Sequence, residues 1–466
     1  MTPPASAATP TVGERIAEAL ALLGVRRVHG VATGLGGLPG IAAPDDLALL
    51  LADLDGRCGG VPGVALLDPQ LLHVSSQPGG RANPETIADP ETALLRVHHA
   101  AREATPHTIA LHLDFDLDAP APIGFADLAA EADPVVSMLS PDLAQLDVVF
   151  IAGPGVVRAG VVDRLHVAAA HAGVPVFNTC GAKGVFRWDS PYHAGTIGLQ
   201  ERDAELAGIT NADLVVVVGG DPAELDLRLV APTVLEVEPA HVDLLVARWA
   251  AASDPPARSR FFSEMSAAVT PLYESESSPL SPARAALHLS GAAPRDGVVV
   301  ADAGVAGFWL ARTFPTGIPA SMLVPAIAIP GAAVAAALLA GLDDRPCVAV
   351  CDAGATDGAP GGLDPRSAEL LELASTLGCS IAVQVWEPAC NRSAPPVAGS
   401  TSTGVVDSAA AHVEASRAAF DRSVRTPGVH RIDRVAFDER AIDRLVEVAG
   451  PVTAWGGSGA PGSGDS

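Results

Sequence analysis

The stretch Asp147-Val-Val-Phe-Ile-Ala-Gly-Pro-Gly155 reads as a buried strand that runs into a glycine turn and then a helix. In α/β sheets that junction is where backbone amides meet a phosphate, so Gly153 and Gly155 are candidate binding positions. The dinucleotide fingerprint is not completed, because Arg158 stands where a third glycine belongs and Gly160 comes two residues late. A plain strand-to-helix turn accounts for the same residues equally well. Cys351-Asp-Ala353 closes a second apolar run, where the side chain of Asp352 can cap or close a turn. There is no P-loop, no HExxH and no G-x-S-x-G elbow in the sequence. His98 and His99 are adjacent on a predicted helix and face different ways, which suits a surface better than a metal.

The elements that must position these residues alternate in type. Val148 to Ala152, Leu214 to Val218, Val298 to Ala301, Val348 to Val350 and Ile381 to Val385 are apolar runs of strands buried on both faces. Helical periods such as Val161 to Ala172 and Ala368 to Leu377 fall between them. Strands separated by helices imply an α/β class with doubly wound parallel sheets. Two Pro-rich stretches, Pro120 to Pro134 and Ala251 to Pro282, divide the chain into blocks at 12–122, 135–250 and 280–452, with 251–282 as a linker. Residues 1–11 and the Gly/Ser/Pro-rich 453–466 read as disordered ends.

Composition narrows the function classes. The 466 residues carry 54 acidic and 29 basic side chains, a net charge of −25, which offers phosphates no basic stripe and so argues against nucleic acid and anionic membranes. The uncharged stretch Thr313 to Leu342 is broken by four prolines, leaving only Gly331 to Leu342 as a continuous helix, too short to span a bilayer. Six scattered cysteines without a CxxC spacing suit reduced thiols, and residues 1–12 lack the pattern of a secretory signal, so a cytoplasmic protein is expected. Lys183 is the single lysine among the 29 basic residues. The surrounding preference for arginine reads as codon bias; at this one position an ammonium is needed or has been kept by chance.

The middle block carries an ordered series: Gly173-Val-Pro-Val-Phe-Asn-Thr-Cys-Gly-Ala-Lys-Gly184, Val185-Phe-Arg-Trp-Asp-Ser-Pro-Tyr-His193, Gly195-Thr-Ile-Gly-Leu-Gln-Glu-Arg202 and Asn211-Ala-Asp-Leu-Val-Val-Val-Val-Gly219. It resembles the central domain of thiamine-diphosphate-dependent enzymes of the acetolactate synthase type, with Leu235-Glu-Val-Glu-Pro-Ala-His-Val242 as its closing strand and turn. Asp302-Ala-Gly304, Phe308-Trp309 and Gly331-Ala-Ala-Val-Ala-Ala-Ala-Leu338 resemble the opening of that family's diphosphate-binding domain. Gly24-Val-Arg-Arg-Val-His-Gly-Val31 and Ala110-Leu-His-Leu-Asp-Phe-Asp-Leu-Asp-Ala-Pro120 resemble the two ends of its pyrimidine-binding domain, here shortened.

The resemblance implies thiamine diphosphate held through Mg²⁺, and in some members FAD on the central domain. Its cofactor-binding positions map to Asp352, Ala353, Gly304 and Lys183, beside the phosphate-turn candidates Gly153 and Gly155, and its metal ligands to Asp352 and, with a shifted register, Glu387. Three departures follow. The second metal position matches Pro388, which has no side-chain oxygen; Cys351 and Ala353 replace the glycines flanking the aspartate; and none of Glu14, Glu18, Glu85, Glu91 and Glu103 has the context of the family's catalytic glutamate. Four of these fit solvated helix positions and Glu85 a loop. The expectation is a divergent, non-catalytic homologue or a partner subunit, in a homodimer or tetramer or beside an intact thiamine enzyme. An active thiamine-diphosphate lyase or transferase on 2-oxo acids, and a nucleotide- or flavin-binding protein, are the alternatives.

Overall fold

A strand feeding a helix feeding a strand packs back only as a parallel pair, and that rule dominates two of the three sheets. The computed structural model describes residues 10–22, 24–30, 35–59, 62–68, 70–75, 82–102, 108–121, 146–226, 233–246, 249, 251–252, 254–353, 362–388, 400–422 and 428–457. The chain forms two compact units, 1–140 and 141–466.

In the first unit, strands β1 (Val28–Gly30), β2 (Gly40–Ala42), β3 (Gly63–Asp68), β4 (Leu71–Ser75), β5 (Glu85–Ile87) and β6 (Thr108–Leu113) form a sheet in the order β2-β1-β3-β4-β6-β5. The sheet is mixed: β4 runs antiparallel to both β3 and β6. Two residues separate β3 from β4, too few for a crossover, so the chain must turn back as a hairpin. Helices α1 (Val12–Leu22) and α3 (Pro90–Arg102) bury Ile16, Leu20, Leu94 and Val97 against Val64, Leu72, Leu111 and their neighbours. Thr11 and Glu14 form a reciprocal capping box at the start of α1, each accepting from the other's backbone amide. The opposite face takes helix α2 (Asp45–Gly59), whose Ala48 and Ala52 pack on Ala65. There the buried pairs His29–Asp55 and His73–Asp53, both at 3.2 Å, tie helix to sheet.

The second unit holds two parallel sheets. Its middle lobe has β7 (Val148–Ala152), β8 (Val176–Asn178), β9 (His193–Thr196), β10 (Leu214–Val218) and β11 (Val234–Val237) in the order β11-β10-β7-β8-β9, with helices α4 (Pro154–Arg158), α5 (Val162–Ala172), α6 (Asp203–Leu206) and α7 (Val242–Val246). A helix α8 (Arg260–Glu274) then leads to the C-terminal lobe, with α9 (Pro282–Ala292), β12 (Val298–Ala301), α10 (Val305–Thr313), β13 (Met322–Leu323), α11 (Ala332–Leu342), β14 (Cys347–Asp352), α12 (Pro365–Thr376), β15 (Ala382–Pro388), β16 (Ser400–Val406), α13 (Ala409–Arg422), β17 (His430–Phe437) and α14 (Asp443–Ala449). The strand order is β13-β12-β14-β15-β17-β16, every pair parallel. One apolar cluster runs through both lobes, from Ile151 and Val215 to Phe261, Trp309 and Val435.

Helix α8 lies inside the stretch expected to be a linker. Its apolar residues Phe261, Met265, Ala268, Val269 and Leu272 recur at helical spacing and are buried, and Ser259 caps it by accepting from the Phe262 amide. The flanking prolines and serines mask that period in the sequence. Glu85, expected in a loop, begins strand β5 and pairs with Arg96 at 2.8 Å. Helix α11, the continuous helix of the uncharged stretch, is 11 residues long and buried in the lobe. Among the described residues no helix is long and apolar enough to cross a membrane. Of the two ends expected to be disordered, residues 454–457 form a short 3-10 turn and residues 10–11 are tied in by a bridge from Thr11 to Pro120; 1–9 and 458–466 lie outside the described residues, as do 122–134 of the first linker.

Candidate functional site

Winding reverses between β12 and β14 in the C-terminal lobe and between β7 and β10 in the middle lobe. Ligands of open α/β sheets bind at such switch points, outside the carboxyl ends of the strands.

At the C-terminal switch point stand Asp302, just after β12, and Asp352, the last residue of β14. Asp302 accepts from the Ala333 amide through Oδ1 (3.1 Å) and from the Asp352 amide through Oδ2 (3.2 Å). Asp352 Oδ1 accepts from the Ala306 amide at 2.7 Å. Ala306 and Ala333 lie in the first turns of α10 and α11, whose own N-cap residues, Gly304 and Gly331, have no side chain to cap with. Each carboxyl therefore supplies from a strand end the cap that its helix lacks. Burial is the main cause that raises both carboxyls from the usual range, Asp302 to about 7, helped by the charge of Asp352, and Asp352 to about 6 against the pull of its amide donors.

The remaining sequence candidates at this edge are positioned differently. Gly304 is required by space: a Cβ there would lie 2.1 Å from Asp352 Oδ2. The Ala353 amide continues the ladder by donating to the Trp386 carbonyl at 3.0 Å. Asp352 and Trp386 are register partners, so Glu387, one residue on, faces the other side of the sheet. There its Oε2 accepts from Arg434 at 2.5 Å, while its Oε1 is buried without a hydrogen-bond partner. Asp352 and Glu387 thus do not converge. Pro388 shares the face of Asp352 and offers no side-chain oxygen.

At the middle switch point the two glycine turns fill the crevice themselves. The Gly155 amide donates to the Gly219 carbonyl at 2.9 Å, the Gly153 amide to the Val218 carbonyl at 2.9 Å, and Pro154 has none to offer. A Cβ on Gly153 would lie 2.2 Å from the Gly219 carbonyl oxygen, and Gly219 itself holds φ +61 with Gly155 at its surface. These glycines serve backbone packing, and the amides that could have cradled a phosphate are engaged. Beside them Glu224 Oε2 accepts from Gly181 N (3.0 Å) and Thr179 Oγ1 (2.5 Å).

Lys183 leaves this edge altogether. Its Nζ is buried in the seam between the two lobes and donates to the Ala311 carbonyl of α10 at 2.7 Å. In the first unit, Glu14 caps α1, Glu18 pairs with Arg15, Glu85 with Arg96, Glu91 is exposed in the first turn of α3, and Glu103 lies outside the described residues. Sequence reasoning gave no role to Asp302, Arg312 or Asp203. A buried aspartate just past a strand was the available signal for the first; the other two meet only through the fold.

A magnesium-bound diphosphate needs an aspartate with free oxygens, a second side-chain oxygen and open amides. Here Asp352 Oδ1 is spent on α10, Pro388 is barren and Glu387 faces away. Among the described residues no three His, Cys, Asp or Glu side chains are grouped to hold a metal. The residues present do not fit the group.

The chain is similar to known proteins in its middle lobe and in its fold. Residues 144–244 match the model of the thiamine pyrophosphate enzyme central domain. A protein of Methanocaldococcus jannaschii designated a probable acetolactate synthase large subunit is 30% identical over 99 residues, which is 21% of this chain and 16% of that relative. An X-ray structure from Mycobacterium smegmatis, assigned as a thiamin diphosphate-dependent enzyme, superposes with a TM-score of 0.63 at 17% identity, covering 92% of this chain and 100% of that one. The three-sheet fold is shared along nearly the whole chain, while sequence likeness is concentrated in the middle lobe.

Proposed function

We propose that this chain, a divergent member of the thiamine-diphosphate enzyme family, is a non-catalytic homologue that works as a partner subunit. The observation that carries this reading is the use made of Asp352: the carboxyl at the family's metal position is the N-terminal cap of α10. The reading is supported further by Pro388 at the second metal position and by the glutamates of the first unit, whose described members serve caps, surface ion pairs or an exposed helix turn. Retention of the three sheets beside these losses is what a subunit kept for its surface and shape, rather than for its chemistry, requires. Partner assembly, in this reading, is with a second copy or with an intact thiamine enzyme that brings its own glutamate and metal ligands.

Calorimetric titration of the purified chain with thiamine diphosphate and Mg²⁺ tests the reading. No saturable heat is expected. Saturable binding that disappears in Asp352→Ala overturns it.

A further inference from the structure

The seam between the middle and C-terminal lobes buries two basic side chains, Arg312, which is paired with Asp203, and Lys183, whose Nζ meets uncharged acceptors. Arg312, in the last turn of α10, reaches Asp203 through Nη2 at 2.8 and 2.9 Å, Gln200 Oε1 at 3.1 Å and the Thr196 carbonyl at 2.6 Å. Asp203 Oδ2 also accepts from the amides of Leu199 (2.8 Å) and Gln200 (3.1 Å), so that carboxylate is fully engaged. Lys183 enters the same seam from the short turn Cys180–Ala182 and is only 6% exposed. Its Nζ donates to the Ala311 carbonyl at 2.7 Å and the Thr196 hydroxyl at 3.3 Å, both uncharged. The titratable groups acting across it are Cys180 on its own turn, Arg312 on α10 and His193 on β9, itself beside Arg258; Asp203 faces Arg312. A second cation buried beside Arg312 on uncharged acceptors is costly in a dry seam, and a guanidinium there could not give up its proton.

We propose that this seam is a proton-linked latch: closed, it holds Lys183 as the neutral amine, and parting of α10 from the middle lobe lets that amine take one proton from solvent. Burial above all, with Arg312 adding to it, brings Lys183 down from 10.5 to about 7 in the closed seam. The sign follows. Between about 7 and 10.5 the open state binds more protons than the closed one, so closure is favoured increasingly as pH rises and the advantage is absent below about 7. The same logic explains why a chain that uses arginine everywhere else has lysine here.

The test uses the whole chain. Because Lys183 is the single lysine, protein grown on ¹³C-lysine gives one side-chain signal. Its Cε shift is expected to titrate with a midpoint near 7; a midpoint near 10 overturns the proposal. Hydrogen exchange of the amides in residues 305–313 and 180–183, corrected for intrinsic rates, gives the second arm. In the wild type the open population is expected to fall by up to about tenfold per pH unit between 7.5 and 9.5, and in Lys183→Met to stay level. Equal slopes in the two proteins overturn the latch, and the lysine titration decides the matter alone where the variant does not fold.

Discussion

Asp302 and Asp352 sit on adjacent strand ends, joined by the Asp352 amide on Asp302 Oδ2, and each closes the first turn of a different helix, α11 and α10 respectively. At this strand edge the two carboxyls serve as a pair of helix caps.

Removing the cap on α10 gives the first prediction. Asp352→Ala leaves the Ala306 amide without its acceptor and is expected to destabilise the fold by about 1–2 kcal/mol, whereas Asp352→Asn keeps an acceptor oxygen and most of the stability. Urea unfolding of the three proteins at pH 7 measures the difference. Equal losses in the two variants sink the capping role.

Gly304 gives a paired prediction. A methyl group there meets Asp352 Oδ2 at 2.1 Å, so Gly304→Ala is expected to cost about 1–3 kcal/mol. Adding Asp352→Gly removes the obstacle, and the double variant should be less destabilised than the sum of the single ones. Strict additivity in unfolding midpoints contradicts the clash.

The pH dependence of Asp302 follows from its raised value of about 7. Between the unfolded carboxyl near 3.8 and that value the folded protein binds the extra proton, so the contribution is present in full below about 4 and lost as pH rises through 7. Asparagine matches the charge of the protonated carboxyl and loses one of its two amide acceptors, an offset that does not change with pH. Asp302→Asn should therefore gain on the wild type from pH 4 to pH 8, by at most about 1.4 kcal/mol per unit. Parallel stability curves across that range refute the assignment.

Much of the frame was legible because buried strands write themselves as apolar runs: Val148 to Ala152, Leu214 to Val218 and Val298 to Ala301 are strands over those same residues. Asp352 was legible as a strand end whose carboxyl could cap. The helix it caps was not, because that amide is 46 residues away in the chain, and the carbonyl that receives Lys183 is 128 away from its partner. Glu387 was placed near the metal by proximity in sequence, but a one-residue step along a strand changes the face, and β17 supplied Arg434 on the face it reached. Antiparallel β4 was hidden for a related reason, since pairing direction depends on the length of the turn that precedes it.

The ion pair in the seam gives a further prediction. Arg312 and Asp203 are both almost wholly buried, so Arg312→Met strands a carboxylate and is expected to cost about 3–5 kcal/mol. Arg312→Met combined with Asp203→Leu removes both charges and should recover a large part. A double-mutant cycle by denaturant unfolding reads the coupling; a value near zero contradicts a direct pair.

A chain of hydrogen bonds beneath β15 gives the last. Arg284 Nε can only donate, so His288 Nε2, 3.3 Å away, must be bare. A neutral His288 then carries its proton on Nδ1 and donates to His412 Nδ1 at 3.2 Å, which leaves His412 protonated on Nε2 and donating to Gln384 Oε1 at 3.1 Å. Trp386 Nε1 donates to the same oxygen at 3.3 Å. Both imidazoles are thus fixed in one tautomer each. Burial, with Arg284 acting on one ring and His288 on the other, lowers His288 to about 4 and His412 to about 3. For depressed histidines the unfolded chain binds more protons between those values and about 6.5, so their contribution is present above 6.5 and lost as pH falls toward 4. His412→Gln is expected to flatten that acid limb in unfolding measurements, and nitrogen-15 imidazole shifts of the wild type should show His412 neutral at pH 5 with the proton on Nε2. A His412 ring that is charged at pH 5, or protonated on Nδ1, rules out this tautomer for the buried pair.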